Sequence, residues 1–103
     1  MTIRHVVAWK LAAVDDAVRG EQAAEVARRL TSLVGVVPSI RALSAGPNAA
    51  YAQQNVDVAV VIDFDDVQGL DEYQSHPAHQ DVAAYIRSVV SHRMAVDFEV
   101  VSS

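Results

Sequence analysis

Between Tyr73 and Gln80 the chain reads Tyr-Gln-Ser-His-Pro-Ala-His-Gln, which places two of the four histidines, a tyrosine and a proline within eight residues. Pro77 fixes its own φ and carries no N–H, so it suits the first position of a helix, while His76 before it is pushed toward extended geometry. His79 then falls in the first turn, where free N–H groups and the positive end of the helix dipole disfavour an imidazolium. A neutral imidazole there is equipped to act as a general base or a polarising donor, and Tyr73 offers a phenol to the same pocket. The same spacing also suits a purely structural arrangement, with His76 as a solvated cap and Tyr73 as a core residue. A further histidine, His5, sits among apolar residues near the N-terminus, where it is either a satisfied core group or a ligand contact.

The composition narrows the classes of function. A chain of 103 residues with 51% hydrophobic side chains is expected to form one domain, residues 1–103. There is no cysteine, which removes a disulfide framework, a thiolate nucleophile and a Cys-based zinc site. His76 and His79, with Asp81 the nearest fitting carboxylate, do not form a recognisable zinc set, so no metal is expected. The formal net charge is −5 and the Lys and Arg residues are scattered, which argues against a nucleic-acid partner. No apolar run approaches a membrane span, and the expectation is a cytoplasmic protein.

The elements that must position these residues follow from periodicity. Ile3 to Leu11 alternates as a strand, with His5, Val7 and Trp9 on one face and Val6 and Ala8 on the other. Asp15 and Asp16 can cap a helix carrying Ala23, Val26, Ala27, Leu30, Leu33 and Val34 on one stripe, with Gly35 placed to end it in the left-handed conformation. Val36 to Ala45 reads as a second strand weakened by Pro38, and Gly46-Pro47-Asn48 as the start of a loop that contains Tyr51. Val56 to Asp65 is the clearest strand, with Val58, Val60, Ile62 and Phe64 on one face. Asp65 and Asp66 introduce a short helix directing Val67, Leu70 and Tyr73 inward. The restart at Pro77 carries Val82, Ile86, Val89 and Val90, and Arg93 to Val101 closes the chain as a strand.

That order fits an α+β sandwich, a ferredoxin-like βαββαβ fold with a four-stranded antiparallel sheet and helices on one face. Val6, Ala8, Ala59, Val61 and Ala95 would then form an apolar band on the open face, which a homodimer would bury.

With these elements placed, the sequence resembles the stress-responsive A/B barrel domain (Dabb) family of the dimeric α/β-barrel group. The likeness rests on Ile3-Arg4-His5-Val6-Val7, the Gly35-Val36 turn, Asp63-Phe64, the Tyr73 to His79 segment and the closing Arg93-Met94-Ala95-Val96-Asp97-Phe98. It implies a homodimer with a small cavity between sheet and helices in each subunit. The best understood enzyme type in the family is a plant polyketide cyclase that closes its substrate by aldol condensation and needs no redox cofactor. Its catalytic tyrosine and histidine match Tyr73 and His79, and its strand-one pocket histidine matches His5. The resemblance therefore implies a wall drawn from His5, Val7 and Trp9, from Val58 and Val60, from Val26 and Leu30, and from Val90. Asp97 is a candidate to orient His79, though alternation leaves its face open. The chain departs from the cyclase where the first helix presents small and aliphatic residues in place of aromatics, and where Val58 aligns with a second pocket histidine, so the substrate class does not carry over. Three functions remain: an enzyme without cofactor that moves protons on a small carbonyl or aromatic compound, a dimeric stress-response or binding protein with a residual cavity, and a cofactor-free monooxygenase, for which Trp9 inside the cavity would count.

Overall fold

The computed structural model describes residues 1–101 and arranges them as β1 (Thr2–Leu11), α1 (Asp16–Thr31), β2 (Ala42–Pro47), β3 (Val58–Phe64), α2 (Val67–Ser75), α3 (Pro77–Val89) and β4 (Val90–Val100). The four strands form one antiparallel sheet in the order β2-β3-β1-β4. This is the ferredoxin-like βαββαβ architecture, with the second helical segment broken in two at Pro77.

Strict alternation makes β1 and β3 the centre of the sheet. Ile3, His5, Val7, Trp9 and Leu11 face the helices together with Val58, Val60, Ile62 and Phe64, and all are buried. Directly opposed pairs such as Val7 with Val60 and Trp9 with Val58 stack these side chains into one layer. From above, α1 closes the layer with Ala23, Val26, Ala27 and Leu30, and α2 and α3 add Leu70, Tyr73, Val82 and Ile86. The Asp15 carboxylate caps α1 by accepting the Val18 N–H at 3.0 Å. The Arg29 guanidinium lies 3.8 Å over the Tyr85 ring and ties α1 to α3.

Three expected boundaries or faces move. The second strand begins at Ala42 and not at Val36, because residues 32–39 turn after α1, with Val37 packed into the core and Gly35 at φ 83°. Its far end runs through Gly46 and Pro47, which pair with Ala59 and Val58; as an edge position, Pro47 spares the ladder a missing donor. Val34 and Val67, expected inward, are half exposed.

The third shift concerns β4. His5 opposes Asp97, Val7 opposes Ala95 and Trp9 opposes Arg93, which puts Arg93, Ala95 and Asp97 on the helix side. Ala95 therefore leaves the open-face band, and Met94, Val96 and Phe98 take its place beside Val6, Ala8, Ala59 and Val61. Met94, Val96 and Phe98 are 54%, 54% and 43% exposed, so the outward face is more apolar than the band expected of it. On the same face Arg4 and Asp63 form a two-pronged ion pair at 2.8 and 3.0 Å.

Candidate functional site

Helix α2 is set by its cap. The Asp66 carboxylate accepts the Gly69 N–H at 2.8 Å, and Leu70 and Tyr73, one turn apart, turn toward the sheet. The helix ends at His76, which is extended (φ −67°, ψ 133°), and α3 restarts at Pro77. His76 caps the new helix with its ring, accepting the Ala78 N–H on Nδ1 at 3.1 Å, and so has a structural role. The break decides the geometry. In an uninterrupted helix, residues 73 and 79 would project about 120° apart around the axis. The bend instead brings the Tyr73 and His79 ring centroids to 4.2 Å, with the His5 ring 6.0 Å from Tyr73 on the other side.

Hydrogen bonds fix the tautomers of the two histidines. His79 Nδ1 lies 3.2 Å from the Gln74 carbonyl, which can only accept, so Nδ1 carries the hydrogen and Nε2 is left with its lone pair. Burial pushes the His79 imidazole below its ordinary value; the Gln74 carbonyl opposes this, while His5, Arg87 and Arg93 add to it. Burial also raises the Tyr73 phenol, so it remains a donor at neutral pH. Tyr73 is 1% exposed yet makes no hydrogen bond among the described residues, and its oxygen is not among the sealed polar atoms that lack a partner. The hydroxyl therefore keeps contact with the adjoining space. His5 Nδ1 pairs with an Asp97 carboxylate oxygen, which fixes the His5 tautomer in the same way. Asp97 thus orients His5, not His79, because the β4 register sets it directly across from the first-strand histidine.

The space itself is a cavity of about 420 Å³ between the sheet and the helices. Of the residues expected to line it, His5, Val7, Trp9, Leu30, Val60, Tyr73, His79 and Val90 do so. Val26, Val58 and Asp97 do not. Val26 is sealed in the core beneath α1, and Val58, directly across from Trp9, is sealed in the core as well. Asp97 stands behind the His5 ring.

Sequence reasoning missed Gln74, Ala83, Ile86, Arg87 and Arg93 as wall residues. A signal for two of them was present: Ala83 and Ile86 fall at helical spacing from His79 on one stripe of α3. Arg93 is found only once its pairing with Trp9 is known. Tyr51 is 75% exposed in its loop and takes no part. Among the described residues, no group of three or more His, Asp or Glu side chains converges where a metal ion would sit.

Residues 3–100 match the family model described as Stress responsive A/B Barrel Domain (Dabb). No match to a curated protein sequence was found. Among solved structures, a dimeric ferredoxin-like protein of unknown function from Thermobifida fusca YX is 30% identical, with a TM-score of 0.82 over 97% of this chain and 92% of that one. A hydroxynitrile lyase from Passiflora edulis is 11% identical, with a TM-score of 0.78 over 99% and 95% of the two chains. A cofactor-independent oxygenase from Streptomyces nogalater is 10% identical, with a TM-score of 0.72 over 99% and 95%. These last two likenesses concern the fold.

Proposed function

This chain belongs to the stress responsive A/B barrel domain family, and from that premise we propose that it is a homodimeric, cofactor-independent catalyst of proton transfer on a small carbonyl compound. The observation that carries the reading is the Tyr73 and His79 pair. The two rings lie 4.2 Å apart on one cavity, and the hydrogen bond to Gln74 leaves His79 Nε2 free to accept a proton.

With a carbonyl compound in the cavity, His79 Nε2 takes the proton from the carbon next to the carbonyl. The C–H bond breaks, its electron pair forms a carbon–carbon double bond, and negative charge develops on the oxygen. The Tyr73 hydroxyl donates a hydrogen bond to that oxygen. The carbanion equivalent then recovers the proton from His79, which is exchange at the same carbon and isomerisation at another, or attacks a second carbonyl carbon of the same molecule, whose C=O π bond opens to an alkoxide that takes the proton from His79, which is aldol cyclisation. His5, held by Asp97, is a second donor or acceptor facing the same space. The apolar wall of Val7, Leu30, Val60 and Ile86 excludes water and so strengthens each of these interactions.

The dimer is part of the proposal. Met94, Val96, Phe98, Val61 and Val6 make a continuous apolar face on the side of the sheet away from the cavity, larger than a small monomer ordinarily leaves wet. Pairing two such faces about a two-fold axis buries it, and the Thermobifida fusca relative is described as dimeric.

The test is solvent exchange. Phenylacetone in D2O should lose its benzylic protons faster in the presence of the protein, and His79→Ala should reduce the catalysed rate by about 10² or more. Tyr73→Phe should cost about 10². A catalysed rate that His79→Ala leaves unchanged removes His79 as the base, and no exchange above the buffer rate for a panel of aryl ketones defeats the reading. Trp9, buried on the same cavity wall, favours a second reading, cofactor-free oxygenation of an electron-rich aromatic ring. Oxygen uptake in the presence of a phenolic substrate, without proton exchange, would favour it over the first.

A further inference from the structure

The cavity wall carries two guanidinium groups and no carboxylate. Arg87 contributes from the last turn of α3 and Arg93 from β4, while none of the wall residues is Asp or Glu in a chain that has 13 of them. Among the described residues, Arg4, Arg19, Arg28, Arg29 and Arg41 are each paired with an acidic side chain; Arg87 and Arg93 are not. Asp97, on the same face of β4 as Arg93, is engaged by His5. Two unpaired cations therefore stand on the wall of a space whose remaining lining is largely aliphatic and aromatic.

From this we infer that the natural ligand is a small organic acid, an apolar body of roughly one ring with a carboxylate that Arg87 and Arg93 hold at the cavity wall while the body lies against Val7, Trp9, Leu30 and Val60. The chemistry follows from the donors. A guanidinium presents a planar fork that matches a carboxylate, and such charge-assisted bonds are stronger than neutral ones. The volume of about 420 Å³ lies in the range of small-ligand sites and has room for one ring with short substituents. Tyr73 and His79 line the same wall, within electrostatic reach of the arginines, so a ligand anchored there comes up against both rings. The inference deepens the proton-transfer reading and rests on it for what happens to the molecule once held.

Matched probes separate the two. Calorimetric titration with phenylacetate and phenylacetamide compares an acid with its neutral near-isostere, without any need for turnover. Wild-type protein should bind the acid about tenfold tighter. The double variant Arg87→Gln/Arg93→Gln should bring the ratio to about one while changing the amide affinity by less than about twofold. Circular dichroism checks that the variant keeps its fold, and rising salt should weaken the acid and spare the amide in the wild type. Equal affinities for acid and amide, or a preference that survives in the folded double variant, would overturn the inference. Tighter binding of phenyl phosphate than of phenylacetate would overturn the carboxylate assignment. Phenylacetone has no anion, so its exchange can fail while the acid preference stands, and the reverse.

Discussion

At the scale of single residues, His79 is the group whose protonation decides the chemistry. Its basic form is the neutral ring, and its titration lies below 6.5 because burial and three neighbouring basic groups disfavour the cation. The proton-exchange rate should therefore stay level down through neutral pH and fall only below 6.5, as protons occupy Nε2. The folded chain binds this proton less readily than the unfolded one, so His79 also lowers stability as pH drops from 6.5 through its folded value, and not above. Following the ring by NMR checks both. Arg93→Gln, which removes one of the cations acting on it, should move the midpoint upward. Tyr73 and His79 stood out in the sequence because a proline beside two histidines is a local signal, whereas the alternation of β1 left His5 open between a core group and a ligand contact. Arg87 and Arg93 were not, since an arginine on a helix stripe or strand reads as solvated surface until the opposing strand is known.

At the scale of elements, most of the fold was legible. The alternation in β1 and β3, the Asp caps and the Pro77 restart each specify an element through local chemistry. Two features were not. The start of β2 is set by where Ala42 meets Asp63, while the apolar run from Val36 to Ile40 serves turns that pack Val37 against the core. The phase of β4 was hidden because its two faces are alternately apolar and mixed; the His5 to Asp97 opposition chose between them. Within α1, Gly20 has open space where a Cβ would stand and no positive φ. Gly20→Ala should therefore stabilise the protein by about 1 kcal/mol through helix propensity alone. For a chain of this size that is roughly 4 to 8 °C in melting temperature, measurable by calorimetry.

At the scale of the whole molecule, the sheet divides its work between its faces, with the cavity on one and the apolar patch on the other. Val96 is opposite Val6 near the middle of that patch. Val96→Asp should weaken the dimer by about thirtyfold or more, the effect of a charge in a buried interface centre, and sedimentation at micromolar concentration should then show monomer. A wild-type chain that sediments as a monomer would contradict the pairing. Tyr73 and His79 meet from α2 and α3 of the same chain, on the side of the sheet away from the patch, so in the proposed back-to-back pair each hollow holds its own phenol and imidazole. Two crippled copies, one without its phenol and the other without its imidazole, would therefore have nothing to lend one another: mixing them could not reconstitute a working centre, and a hybrid of sound and damaged subunits would deliver half the output of the intact pair.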